Sequence, residues 1–245
     1  MLSTAQNSPN DRLNYRLLGL RERIDGAARA AGRNPGEVTL LAVSKGQPAA
    51  RVRAAAALGL RDFGENYVTE ALPKMAQLTD LGLYWHFIGR IQANKTRAIA
   101  SQFDWVHGVD RVQLAQRLST QRGHFVAPLN ICLQVNVLGE ASKGGVPPEA
   151  LPALIEAVRE LPRLRLRGLM CILPYEASPA EQATGFGHLR QLLQEARARG
   201  VAMDTLSMGM SADLESAVAH GATVVRIGTA LFGSRDASIA APAVE

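Results

Sequence analysis

The stretch "LLAVSKGQP", residues 40–48, sets four apolar residues, Leu40 to Val43, directly before Ser44, Lys45, Gly46 and Pro48. A short apolar run closed by glycine and proline reads as a buried strand. Lys45 therefore stands at the end of a core strand. Most lysines lay their stems on apolar surface and keep the ammonium in water. One that ends a core strand and points inward is there for chemistry.

Outward from this stretch the same rhythm repeats. Further short apolar runs occupy 61–66, 84–89, 103–110, 129–137, 166–172, 204–209 and 223–229, which with 38–44 makes eight. Helical periods lie between them. Residues 147–161 align Leu151, Leu154, Ile155, Val158 and Leu161, and residues 180–199 align Phe186, Leu189, Leu193 and Ala196. Strands alternating with helices, without consecutive hairpins, imply a parallel sheet. At 245 residues the closed (β/α)8 TIM barrel is the expected α/β fold. The rival is a doubly wound open sheet, but no glycine fingerprint opens the first βα unit. An extra N-terminal helix is expected over 11–31, from Leu13, Leu17, Leu20, Ile24, Ala27 and Ala31, stopped by "GRNPG". The expected layout is one domain over 10–235, with disordered tails at 1–9 and 236–245 and no room for a second domain.

Composition narrows the function classes. Hydrophobic residues make up 47% and charged residues 20%, an ordinary globular balance. No apolar run approaches the roughly 20 residues of a membrane span. The N-terminus lacks a basic-then-apolar signal pattern, so a cytoplasmic protein with no membrane partner is expected. The net charge of +5 invites a nucleic-acid reading. The arginines are scattered among acids, however, and the densest basic stretch, "RIQANKTR" (90–97), reads as a solvated helix face, so no nucleic-acid partner is expected. Cys132 and Cys171 lie in apolar segments and read as buried thiols. No Cys/His spacing suits a metal, and none is expected.

In a barrel the active face is formed by the C-terminal strand ends and the loops after them. Lys45 ends the first strand; Glu65 and Asn66 end the second; His86 lies in the third. "SMGMSADLESA" follows the seventh, with Ser211 as the expected N-cap, and "RIGTALFG" closes the eighth, opening a short helix at Gly228. Two neighbouring glycine- and hydroxyl-bearing turns after strands 7 and 8 suit a phosphate. A lysine across the mouth from them implies a ligand with an aldehyde at one end and a phosphate at the other. Pyridoxal 5′-phosphate and a sugar-phosphate aldolase substrate both fit. Arg226 leans toward the former, since a permanent cation can face a pyridine nitrogen and leave it unprotonated. The competing reading of Arg226 is a buried ion pair with Glu65 or another acid. His86 reads equally as a ligand contact or a core histidine, and His107 as structural.

At these residues the sequence resembles a known family. "AVSKGQP", "FGENYVTEALPK", "WHFIGRIQANK" and "LSMGMSADLESAVAHGATVVRIGTALFG" look like the pyridoxal phosphate homeostasis proteins, over about residues 10–235. That family resembles the N-terminal barrel of alanine racemase, the type III pyridoxal phosphate fold. The resemblance implies a pyridoxal 5′-phosphate cofactor held as a Schiff base on Lys45. It implies Asn66 beside the ring and His86 on the cofactor side of the wall. Ser207, Met208, Gly209, Ser211, Gly228 and Thr229 would take the phosphate, and Arg226 would face the pyridine nitrogen. Lys143 matches a second lysine that the family is thought to use in cofactor transfer. Its loop reads "ASKGGV", with glycine where the family pattern has serine; a solvated loop lysine is the other reading.

Alanine racemase uses its lysine on one face of the substrate carbanion and a tyrosine from a second domain on the other. Among Tyr15, Tyr67, Tyr84 and Tyr175 no replacement is evident. The expectation is therefore a carrier of vitamin B6 homeostasis, monomeric, in transient contact with recipient apo-enzymes, and not an enzyme. A weak amino-acid racemase and a Schiff-base aldolase are the alternatives.

Overall fold

The computed structural model describes residues 8–140 and 144–234. Eight parallel strands close into a barrel in sequence order: β1 (Thr39–Val43), β2 (Asp62–Glu65), β3 (Tyr84–Phe87), β4 (Trp105–Val109), β5 (Leu129–Gln134), β6 (Leu164–Met170), β7 (Thr205–Ser207) and β8 (Val224–Ile227). Thr39 to Ala42 register against Val224 to Ile227, which shuts the sheet. The helices are α1 (Pro9–Ala30), α2 (Ala49–Ala57), α3 (Val68–Ala76), α4 (Thr96–Gln102), α5 (Val112–Gln121), α6 (Leu151–Arg159), α7 (Pro179–Ala198), α8 (Leu214–Ala219) and α9 (Thr229–Phe232).

Every run read as a strand contains one, but all eight strands stop short of the run's C-terminal end. The run 204–209 yields only Thr205–Ser207, and 129–137 only Leu129–Gln134. The residues beyond leave the ladder to build the mouth loops. "RIQANKTR" departs further. Ile91 is buried, Ala93–Lys95 form a single 3-10 turn, and the α-helix starts only at Thr96. The stretch is mostly loop rather than a helix face.

Alternation along the strands divides the interior in two. Ala42, Phe63, Trp85, Phe87, Val106, Ile131, Leu133, Val225 and Ile227 join the apolar layer between sheet and helices. Leu41, Val43, Cys132, Met170 and Val224 are as buried but stand apart from that layer, on the lumen side. His86, His107, Ser207 and Arg226 share their face, so the lumen is polar at its centre.

α1 starts earlier than the periodicity implies. Ser8 caps it, accepting the Asp11 N–H at 3.1 Å, and Pro9 is its first residue. Of the tails expected at 1–9 and 236–245, the rest falls outside the described residues. α1 buries Leu13, Leu17, Leu20, Ile24 and Ala28 against the barrel's last helices, each large one stabilising by about 1.5–3 kcal/mol. Ala28 joins the expected Ala27, which packs half-buried against the core, while the expected Ala31 is already the C-cap. Arg23 bridges α1 to Glu215 of α8 at 2.6 Å and to the Ser211 carbonyl at 3.0 Å.

Candidate functional site

Lys45 lies in the turn just past β1 and is half-buried. The strand before it turns Leu41 and Val43 to the lumen, and the ladder runs on one residue further, the Ser44 N–H donating to the Gly64 carbonyl at 2.9 Å. Behind it the chain is fixed by a charged cluster between the sheet and α3. The Lys74 ammonium donates to the Ser44 carbonyl at 2.8 Å, to Glu65 Oε1 at 2.6 Å and to Glu70 Oε1 at 2.8 Å. The Ser44 hydroxyl donates to Glu65 Oε1 at 2.6 Å, and the Gly46 N–H to Glu70 Oε1 at 2.6 Å. Lys74 and Glu65 are both buried. Burial pushes the Glu65 carboxyl above its ordinary range, against the pull of Lys74.

Arg226, on β8, pairs with Leu41 in the ladder and so projects into the lumen in a layer beneath Lys45. It is fully enclosed, and burial draws its guanidinium below the ordinary value. Its expected alternative partner, Glu65, points to the other side of the sheet and is taken by Lys74. Arg226 donates instead to Ser207 Oγ at 2.9 Å and to the Cys171 carbonyl at 2.8 Å. From Ser207 a chain of hydrogen bonds crosses the lumen. Ser207 Oγ meets His107 Nδ1 at 2.7 Å, His107 Nε2 meets His86 Nδ1 at 3.0 Å, and His86 Nε2 meets Asp62 Oδ1 at 3.1 Å.

The ends fix the direction of that chain. Arginine can only donate and ionised carboxylate can only accept. Ser207 accepts from Arg226 and donates to His107, which donates from Nε2 to His86, which donates from Nε2 to Asp62. His107 is held neutral: desolvation foremost, then His86 and Arg226, place its imidazole well below the ordinary histidine range. His86 also stacks on Trp105 at 5.4 Å between ring centroids. The structure thus brings together His86 and Ser207, expected at the cofactor, with His107, read from sequence only as structural.

The turns after β7 and β8 fall at the mouth. Gly209 has φ +91°, and a β-carbon there would stand 2.5 Å from that of Ala217, so only glycine fits. Its carbonyl accepts the Arg226 N–H. Met208 is buried in the outer layer and does not reach the mouth by its side chain. The expected N-cap, Ser211, is not the cap. Asp213 takes that position, and its carboxylate accepts the Met210 N–H at 2.5 Å. Asp213 makes no side-chain bond to the helix it opens, and the backbone carbonyl of Ser211 is held by Arg23 of α1. Gly228 precedes α9 as expected, with half-buried Gly228 and exposed Thr229 facing Val43 and solvent. Arg51 of α2 donates to the Phe232 carbonyl and ties α9 down.

Asn66 follows β2. Its Oδ1 is buried and has no hydrogen-bond partner. A β-carbon at Gly89 would lie 2.2 Å from the Asn66 carbonyl oxygen, so the end of β3 approaches this peptide as only glycine allows. Beside Asn66 opens a cavity of about 970 Å³, lined by Arg90, Asn94, Lys95 and Arg111 without any carboxylate. Lys143 lies outside the described residues. Cys132 and Cys171 are free and buried, their thiols pushed up to about 12 by desolvation. Among the described residues no group of three or more His, Cys, Asp or Glu could hold a metal, and no helix is long and apolar enough to cross a membrane. Sequence reading missed Lys74 and Glu70, whose only signal is their four-residue spacing.

Residues 18–236 match the family described as alanine racemase, N-terminal domain. A pyridoxal phosphate homeostasis protein of Pseudomonas aeruginosa is 64% identical over 214 residues, covering 87% of this chain and 92% of that one. PipY of Synechococcus elongatus, solved with pyridoxal phosphate bound, is 42% identical with a TM-score of 0.80, covering 90% of this chain and 100% of that one. Alanine racemase from Corynebacterium glutamicum shares the fold at 18% identity and a TM-score of 0.65, over 92% of this chain and 61% of its own.

Proposed function

The chain belongs to the pyridoxal phosphate homeostasis proteins, within the family of the alanine racemase N-terminal domain, and on that premise we propose that it holds pyridoxal 5′-phosphate at the barrel mouth and buffers or delivers it. The relatives are named for homeostasis rather than for a reaction, which supports a binding role over turnover. The observation that carries the reading is Arg226 buried on the lumen face of β8, in register with Leu41 of β1, the strand whose closing turn holds Lys45.

The residues present fit the cofactor. Lys45 supplies the amine that condenses with the aldehyde, one water leaving as the Schiff base forms. Arg226 faces the pyridine nitrogen. It carries no carboxylate that would protonate the ring, so the ring is a poor electron sink. Asn66 Oδ1, buried without a partner, awaits a donor beside the ring. Gly209, Ser211, Gly228 and Thr229 offer the phosphate their backbone and hydroxyl groups at the turns after β7 and β8. Ser207 and His86 act one layer lower, through Arg226, and Met208 contributes its backbone alone. Lys143 acts in transfer. The protein works as a single domain over 10–235, as a cytoplasmic monomer that touches recipient apo-enzymes transiently.

The test is the visible spectrum of the purified protein before and after borohydride, beside Lys45→Ala. A yellow wild type fixed by reduction and a colourless variant are expected. A wild type that takes up no added pyridoxal phosphate overturns the reading. Steady turnover of an amino acid, lost in Lys45→Ala, would replace the carrier with a racemase.

A further inference from the structure

Both peptide groups of Lys45 are gripped by the same buried cluster. On the N-terminal side, the carbonyl of Ser44 accepts from Lys74 Nζ at 2.8 Å. On the C-terminal side, the N–H of Gly46 donates to Glu70 Oε1 at 2.6 Å. The two grips are one object, because Lys74 also donates to Glu70 at 2.8 Å and to Glu65 at 2.6 Å. Glu65 in turn holds the Ser44 hydroxyl at 2.6 Å. The Lys74 side chain is 5% exposed and that of Glu65 0%.

Such a cluster is an odd choice for stability. Burying Lys74 and Glu65 costs much of what their attraction returns, and apolar replacements of such pairs are often neutral or better. Glu65 Oε2 is even left without a partner. The cluster does fix geometry. Lys45 sits in a turn, next to Gly46 at φ +71°, where the backbone has more freedom than in a strand. A long flexible side chain on a loose turn would search widely for its target. A charged clasp on both flanking peptides leaves only the side-chain torsions to vary.

We propose that Lys74, with Glu65 and Glu70, is a positioning clasp that aims the Lys45 amine at the incoming aldehyde. This rests on the reading of Lys45 as the attachment point. The clasp acts on the rate of covalent capture and not on the main grip on the ring and phosphate, because Arg226 and the turns after β7 and β8 lie on other strands.

Two variants test it. Glu70→Gln leaves the Lys74–Glu65 pair whole and sits where the side chain is 21% exposed, so it folds. Lys74→Met with Glu65→Gln removes both charges together and leaves no lone buried ion. Capture of pyridoxal phosphate is followed by the growth of visible absorbance in stopped flow. Non-covalent binding is followed separately with pyridoxine 5′-phosphate, which has an alcohol in place of the aldehyde. Amide hydrogen exchange at Lys45 and Gly46 reads the clasp without any ligand. The expected result is capture slowed on the order of tenfold to a hundredfold in both variants, with pyridoxine phosphate affinity within twofold of wild type and faster exchange at Gly46. Unchanged capture in folded variants overturns the proposal, as does equal loss of capture and of pyridoxine phosphate binding, which marks general damage. If wild type captures nothing, the attachment reading fails, and the exchange data still decide whether the clasp holds the turn.

Discussion

Two polar networks lie on opposite sides of the sheet, and they are built on different principles. The outer one, behind Lys45, joins Lys74, Glu65, Glu70 and Ser44 through direct ion pairs of 2.6 and 2.8 Å. The inner one runs Arg226, Ser207, His107, His86, Asp62 and separates its arginine from its carboxylate by a hydroxyl and two imidazoles. In the first, charge answers charge at contact, so each member depends on its neighbour's ionisation. In the second, polarity passes from donor to donor, and what matters is each link's tautomer. The outer network suits rigid fixing of a backbone. The inner one suits holding a guanidinium in place without neutralising it.

The largest effect that would break this contrast belongs to the outer network. Lys74→Ala leaves Glu65, which is fully buried, without its cation. Truncating one member of a buried pair costs about 3–5 kcal/mol. Urea denaturation should show that loss, and far less of it when Glu65 is changed to Gln in the same chain. Equal losses in the single and double variants would mean that Lys74 acts by packing alone.

The inner network should be weaker. His107→Phe keeps a ring in the lumen but strands the Ser207 hydroxyl and His86 Nδ1. Each buried group left unsatisfied costs about 1–3 kcal/mol, partly offset by the apolar ring. A net loss of about 2 kcal/mol in the same denaturation experiment is expected. The specific sign is optical: with Ser207 freed, Arg226 shifts against the ring, and the absorption maximum of the loaded protein moves. A variant that loses stability while keeping its maximum would make His107 a packing residue and show that Ser207 and the Cys171 carbonyl hold Arg226 without it.

The sequence exposes these networks unequally. The barrel was legible because its signal is local: a short apolar run, a break and a helical period, repeated eight times. Lys45, Asn66 and Arg226 were legible because the strand-end rule turns such a list into positions. Lys74 was not, since Glu70 and Lys74 at four-residue spacing look like any solvated helix pair, and only the packing of α3 on β2 buries them. The link of His107 to Ser207 spans 100 residues. Strand alternation puts both on the lumen face, but no local pattern says they touch. Ser211 was misread as a cap for a local reason: the turn runs two residues further than expected, and α8 starts only after Asp213.

The smallest effect is the most diagnostic, because the two networks respond to pH with opposite sign. His107 has a folded value depressed well below 6.5. Its contribution is whole above about pH 6.5 and is lost as pH falls toward the folded value, since the unfolded chain takes up the proton first. Glu65 has a folded value raised above 4.5. Its contribution is whole below about pH 4.5 and is lost as pH rises through the folded value. Each proton of difference changes stability by about 1.4 kcal/mol per pH unit. Groups facing His107 are His86, Ser207, Arg226 and Trp105, and those facing Glu65 are Lys74, Glu70 and Ser44. Exposed carboxylates are common to all variants and cancel in comparison. Denaturation midpoints between about pH 4.5 and 6.5 should therefore fall more steeply with acid in Glu65→Gln than in wild type, and less steeply in His107→Asn. If both variants moved the slope in the same direction, the two networks would be one coupled system acting through the sheet, and the contrast between an ionic clasp and a hydrogen-bonded relay would not stand.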